Sequence, residues 1–213
     1  MNENIEINSG SLKKIYYVIF FGLEFELERG IEIIGESILE PENFEFTPIS
    51  TKWMRSRSNF LEFDCESTRR KIKPSTKGRA ENPPKTHKII GDGNCLFRTL
   101  SHAITNSEEH HTELRKIICK EIQKSSATYL GTESAEDYFN RTGMQNETVW
   151  GTDLEISVAA SLLNTSIWCY GPFGNGYGWT KFEPHNPKCG ESNNNEAIFI
   201  VNKGQHYEPL YKW

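Results

Sequence analysis

No two of the five cysteines stand as a CxxC pair; Cys65, Cys95, Cys119, Cys169 and Cys189 are scattered along the chain. That spacing excludes a structural zinc site of the usual kind. An odd, dispersed set also argues against a disulfide framework, which a chain of 213 residues does not need. Long apolar runs are missing too. The stretch Ile15 to Phe21, after Lys13-Lys14, is too short to span a bilayer, and no small-residue cleavage site comes after it. Glycosylation triplets at Asn140, Asn146 and Asn164 would matter only in a secreted protein. Excess positive charge is also lacking: a net charge of -5 gives no general pull toward nucleic acid. These absences describe a reduced, intracellular protein, cytoplasmic with the nucleus left open, and without membrane association.

With 36% hydrophobic and 12% aromatic residues, the chain is globular in composition. Its charge is unevenly laid out. Residues 1–46 carry a net -7, residues 47–88 a net +7, and the remainder a net -5. The acidic start alternates in places, as in Leu23, Phe25 and Leu27 with Glu24, Glu26 and Glu28 between them, so residues 1–46 read as a β-rich extension with a small hairpin or meander. Its expected role is structural. Residues 47–86 are polar, basic and rich in Ser, Thr and Pro, and read as a linker, with Trp53, Phe60, Leu61 and Phe63 available to pack on the domain C-terminal to it. Within the stretch 52–88, Arg69-Arg70-Lys71-Ile72-Lys73 is a candidate nucleic-acid or nuclear-import patch, although short basic runs are commonly just solvated.

From residue 87 the pattern becomes regular. Apolar spacing predicts helices from Leu96 to Ile104, from about Ser107 to Gln123, and from near Ser134. Another helix is opened by the capping box Thr152-Asp153-Leu154-Glu155. Strands are expected at Ser166–Tyr170, near Trp179 to Phe182, at Ala197–Val201, and at His206–Leu210 after the turn Asn202-Lys203-Gly204. Helices first and a mostly antiparallel sheet last predict an α+β domain over 87–213.

The chemistry centres on Gly91-Asp92-Gly93-Asn94-Cys95-Leu96-Phe97-Arg98. A glycine turn delivers Cys95 to the first turn of an apolar helix, where the macrodipole and unpaired N–H groups favour the thiolate. The turn amides also stand where an oxyanion would develop. Such a nucleophile needs a base, and the base an orienting group. His102 lies seven residues along the same helix, about 10 Å away along its axis. His87, His110, His111 and His185 have no partner in the sequence that suggests the role. His206 comes after a glycine turn, and Glu208 shares its strand face two residues later. On spacing alone this pair competes evenly with an ordinary core histidine.

Asp92-Gly93-Asn94-Cys95-Leu96-Phe97-Arg98 resembles the nucleophile motif of the ovarian-tumour (OTU) cysteine proteases. Gln205-His206-Tyr207-Glu208 is similar to that family's histidine motif, and Trp150-Gly151-Thr152-Asp153 to the segment before its central helix. The resemblance covers about residues 86–213. It implies a papain-like fold, with helices around a small sheet, and a thiol hydrolase that removes ubiquitin or a ubiquitin-like modifier from lysine side chains. It implies Cys95 as nucleophile, His206 as base and Asp92 as the motif aspartate, with Gly93 and Asn94 shaping the oxyanion turn. No cofactor or metal is required. The family usually has Asp or Asn two residues after the histidine, where this chain has Glu208; the third member is thus Glu208, Asp92 or none. Trp150, Trp179 and Tyr207 are candidates to wall a narrow channel for a Gly-Gly tail. Competing expectations are an inactive ubiquitin-binding relative, a cysteine acyltransferase, and a nucleic-acid-binding protein acting through 52–88.

Overall fold

The computed structural model describes the backbone of strands 3–9, 12–18 and 33–38, and residues 47–65, 85–173, 176–185 and 196–212. In chain order the elements are β1 (Glu3–Ser9), β2 (Leu12–Val18), β3 (Ile33–Ile38), α1 (Thr51–Leu61), β4 (Lys85–Thr86), α2 (Cys95–Thr105) and α3 (His111–Lys124). They continue with α4 (Ser126–Tyr129), α5 (Ala135–Thr142), α6 (Asp153–Leu163), β5 (Ser166–Phe173), β6 (Gly176–Phe182), β7 (Ala197–Asn202) and β8 (Tyr207–Lys212). The strands form one sheet in the order β1-β2-β3-β6-β5-β7-β8-β4. All neighbours run antiparallel except β5 and β7, which are parallel and in register from Ser166↔Ala197 to Tyr170↔Val201. The cluster Arg69 to Lys73 and the alternating stretch Leu23 to Glu28 lie outside the described residues.

Strand alternation divides the apolar residues of β7 between two cores. Ile198 and Ile200 join the main core with Ile167, Cys169, Phe182 and Tyr207. Ala197, Phe199 and Val201 point the other way, into a second cluster with Trp179 and Leu210. Helix α2 is buried along nearly its whole length, with Leu96, Phe97, Leu100 and Ile104 fully inaccessible. It packs on β8, where the Thr99 hydroxyl donates to the Tyr207 carbonyl at 2.8 Å. Local signals account for the flanking helices. Ser134 caps α5 by accepting from the Asp137 amide, and Thr152 and Glu155 form a reciprocal capping box on α6. Helix α3 begins at His111, later than Ser107, because residues 107–110 are spent on turns that satisfy Ser101 and Thr105 hydroxyls.

The linker reading is corrected over its first third. Residues 51–61 form α1, capped by the Ser50 hydroxyl at 3.2 Å from the Trp53 amide. Met54, Ser58 and Leu61 present a buried stripe at helical spacing, and the Ser58 hydroxyl donates to the Ile104 carbonyl at 3.2 Å. Phe63 is buried as well, whereas Phe60 is 54% exposed. So short a stripe is diluted by surrounding Lys, Arg, Ser and Asn, and average composition hid it. Among the described residues, no helix is long and apolar enough to cross a membrane.

Candidate active site

The turn before α2 has the conformation its glycines allow. Gly93 lies at φ +84, in the left-handed region, and a Cβ there would stand 2.0 Å from the Thr148 carbonyl oxygen. Only glycine lets the turn approach the 144–149 segment so closely. Cys95 then takes the first position of α2. The first intrahelical bond is made by Arg98 to the Asn94 carbonyl, at 2.9 Å, which leaves the amides of Cys95, Leu96 and Phe97 ahead of the helical ladder. The Cys95 thiol is buried, with Sγ 3.8 Å from the Gln205 carbonyl. The nucleophile turn and the histidine turn therefore meet, across 110 residues of sequence.

His206 is fixed from both sides. Its Nε2 faces Glu208 Oε1 at 3.5 Å, while Gly91 lies against its Cε1 and Nδ1 edge, where a Cβ would be 3.7 Å from each. One ring nitrogen is thus turned to the carboxylate and the other to the turn that carries Cys95. Glu208 is itself held. Its Oε2 accepts from the Thr86 hydroxyl and the Lys203 ammonium, and Lys203 also donates to Thr86 at 2.9 Å. Burial pushes the Glu208 carboxyl up, but the Lys203 and Thr86 hydrogen bonds, with Lys203 and His206 charge, outweigh it and hold the group below its ordinary value. Thr86 reaches the site because β4 pairs with β8, and Lys203 because the turn closes with its amide on the His206 carbonyl at 2.8 Å.

Asp92 serves the turn. Its Oδ1 accepts the Asn94 amide at 2.9 Å, and its carboxylate takes Arg98 through Nε at 3.1 Å and Nη2 at 2.6 Å. The Arg98 hydrogen bond is the chief reason the carboxyl sits far below its usual range; desolvation opposes it and the Asn94 bonds assist. Asn94 takes part in shaping the turn rather than in donating to an oxyanion. With its N–H committed to Asp92, it does not offer an oxyanion donor. Its side chain instead accepts from Arg115 Nη2 and from the Thr148 amide, each at 2.9 Å. The amides of Gly93 and Cys95 have no acceptor among the described residues and remain for that role.

The three aromatic channel candidates fall in different surroundings. Trp150 is 49% exposed, and the next residue, Gly151, packs so tightly on Leu96 that a Cβ would come within 2.5 Å of it. Trp179 is corrected: it is buried in the second cluster, on the sheet face away from α2. Tyr207 is corrected as well. Its ring enters the main core, where burial raises its hydroxyl well above the usual tyrosine range. Both outcomes depend on which way a strand residue points, which register decides. The other histidines are engaged elsewhere: His102 is buried and stacks on His87 at 4.2 Å, and His110 stacks on Phe63 at 4.5 Å. His111 Nδ1 meets the Glu108 carbonyl at 2.8 Å, and His185 meets the Tyr129 ring edge-on.

A buried thiol at a helix N-terminus, a histidine beside its turn and a carboxylate behind that histidine form the constellation of a papain-like thiol hydrolase. The family model for OTU-like cysteine proteases matches residues 90–207, more than half of the chain. This chain belongs to the OTU-like cysteine protease family. Its α+β, papain-like architecture is that of the OTU domain. Among curated relatives, OVARIAN TUMOR DOMAIN-containing deubiquitinating enzyme 12 of Arabidopsis thaliana is 31% identical over 82 residues, 38% of this chain and 36% of the relative. Ubiquitin thioesterase otu2 of Schizosaccharomyces pombe is 30% identical over 98 residues, 40% of this chain and 32% of the relative. The chain thus spans about a third of the length of these relatives. Among solved structures, the viral OTU domain protease from Dera Ghazi Khan virus aligns at a TM-score of 0.49 and 21% identity, covering 61% of this chain and 81% of that one.

Thr86, Lys203, Arg98 and Arg115 are the site residues that sequence reasoning missed. For Arg115 a signal existed: it shares a helical face with Cys119 and Ile122, where a charge has no reason to be unless it is used.

Proposed function

We propose that this chain is a thiol-dependent hydrolase that releases ubiquitin, or a ubiquitin-like modifier, from lysine-linked conjugates. The observation that carries the reading is the meeting of the Cys95 and His206 turns within the segment that matches the OTU-like cysteine proteases, with Glu208, just past that segment, behind the histidine. The deubiquitinating names of the curated relatives supply the substrate class.

In this reading His206 Nδ1 takes the proton from Cys95 Sγ, and Glu208 holds the resulting imidazolium through Nε2. The thiolate attacks the carbonyl carbon of the modifier's terminal glycine. The oxyanion is met by the Cys95 and Gly93 amides, preorganised by the Asp92 clamp. Collapse breaks the C–N bond, and His206 returns its proton to the departing lysine amine. Water, deprotonated by His206, then hydrolyses the thioester and restores the thiol. Trp150 walls the approach taken by the glycine tail. The free thiols of Cys65, Cys95, Cys119 and Cys169 suit a reducing, intracellular setting.

The test is a ubiquitin probe carrying a C-terminal electrophile, with hydrolysis of ubiquitin dimers as the second readout. Labelling that vanishes in Cys95→Ala supports the reading. Labelling that survives Cys95→Ala refutes the nucleophile assignment. A native protein that binds ubiquitin without being labelled or cutting dimers is an inactive binder instead.

A further inference from the structure

Arg115 is 1% exposed, the largest side chain sealed inside the fold. Its Nη1 donates to the Met144 carbonyl at 3.0 Å. Its Nη2 donates to the Val149 carbonyl at 2.6 Å and to Asn94 Oδ1 at 2.9 Å. The guanidinium carbon lies 3.9 Å from the centroid of the Phe97 ring, in the first turn of α2. One planar cation therefore joins both ends of the 144–149 segment to the residue before the nucleophile and to the helix that carries it.

No carboxylate touches the charge directly. Among the described residues none lies within ion-pair distance of Arg115; its hydrogen-bond acceptors are neutral, three oxygens and the Met144 sulfur. The ionisable groups that face it are Cys119 on its own helix, Glu155 on α6, Glu147 in the adjoining segment and Asp92 across the turn. Tyr207 is the ionisable group coupled to Cys95, and His206 follows Gln205, whose carbonyl meets the thiol. Burying a cation on neutral partners is costly. A neutral residue could fill the same space, so packing alone gives no reason for the charge.

We propose that Arg115 is a positioning residue of the OTU site, holding the Gly93 and Cys95 amides in oxyanion geometry through Asn94 and lending positive charge to the anions that form at Cys95. The inference rests on Cys95 being the nucleophile, but not on ubiquitin being the substrate. The geometry supports each link. Asn94 is stretched between Asp92, which takes its amide, and Arg115, which takes its side chain. Thr148, at φ +68, is held against Gly93 by the bond from its own amide to Asn94. A β-branched residue in that conformation is strained, and the Arg115 clamp on Val149 is what restrains the segment beside it.

The experiment uses the full chain and two readouts: iodoacetamide alkylation of Cys95 against pH, and kcat with KM on a fluorogenic ubiquitin C-terminal amide. Arg115→Met removes the charge, Arg115→Lys keeps it without the fork, and Asn94→Ala cuts the link to the turn while sparing the carbonyl bonds. We expect Arg115→Met to raise the alkylation midpoint by about 0.5 unit or more, and to lower kcat about 100-fold with KM changed less than about threefold. Arg115→Lys should restore most of the midpoint but not most of kcat, because a point charge does not replace a bidentate fork. Should Arg115→Met fail to fold, Asn94→Ala carries the test, with kcat about 10-fold down in a protein of near-native melting temperature. An unchanged midpoint together with kcat within about twofold in a folded Arg115→Met or Asn94→Ala variant overturns the proposal. A shifted midpoint in a protein without ubiquitin hydrolase activity supports Arg115 and refutes the substrate assignment.

Discussion

Replacing Glu208 by Gln tests how the site treats a carboxylate one methylene longer than the family's usual residue. The side chain is 8% exposed, and its Oε1 stands 3.5 Å from His206 Nε2. At that separation, an effective dielectric of about 20 gives an attraction of about 5 kcal/mol for a full carboxylate and an imidazolium. Lys203 opposes much of it by sharing the other oxygen, though its own half-exposed ammonium is screened by water. A net of about 2 kcal/mol is reasonable, corresponding to about 30-fold in kcat/KM. The amide keeps shape and hydrogen bonding, so folding should survive. The sign for pH is definite. Losing the anion disfavours the imidazolium, so the acidic limb of the kcat/KM profile, where the base His206 loses its proton, should move to lower pH, by about 1 unit. Lys203→Met should move it the other way, because Glu208 is then no longer shared. Stopped assays with the fluorogenic ubiquitin amide across pH 5 to 10 would read both limbs. If Glu208→Gln keeps kcat/KM within about twofold and leaves the acidic limb in place, Glu208 does not orient the histidine and the site is a dyad.

Gly93→Ala would force a methyl into the Thr148 carbonyl at a positive φ; we expect hydrolysis to fall more than about 100-fold, with a loss of roughly 1–3 kcal/mol in urea unfolding. Trp150→Ala should raise KM severalfold yet change stability by less than about 0.5 kcal/mol, read by steady-state kinetics and thermal melts, since the ring is half-exposed. Asp92 has a folded-state pKa depressed chiefly by Arg98. Its contribution is therefore fully present above the unfolded value, about pH 4, and is lost as pH falls through the more acidic folded value. Asp92→Ala should flatten the stability–pH curve below about pH 4 while reducing turnover near neutrality, as denaturation series at several pH values would show.

How much was legible beforehand depended on whether the cause was local. The nucleophile turn is written in adjacent residues, as are the capping box of Thr152 and Glu155 and the carboxylate two places after His206. Helix α1 was obscured because a short buried stripe sits in a basic, serine-rich stretch whose average looks unstructured. The partners of Glu208 were out of reach for a different reason. Thr86 meets it across 122 residues, a proximity created by β4 pairing with β8. Trp179 and Tyr207 were misassigned because an aromatic residue in a strand faces whichever core the register selects. Asn94 shows the limit of motif reading: the residue is where the motif puts it, but its amide is already occupied.

The pairing of β4 with β8 also bears on where this chain can be cut. A fragment starting at residue 90, where the family match begins, would lose Thr86 and with it one of the two groups gripping Glu208. It would also strip Met54, Leu61 and Phe63 from the core against which α2 is packed, baring apolar surface along the helix that carries Cys95. The segment that defines the family therefore shares its core and its site with residues before it. Its catalytic end is finished by residues that arrive before the motif starts.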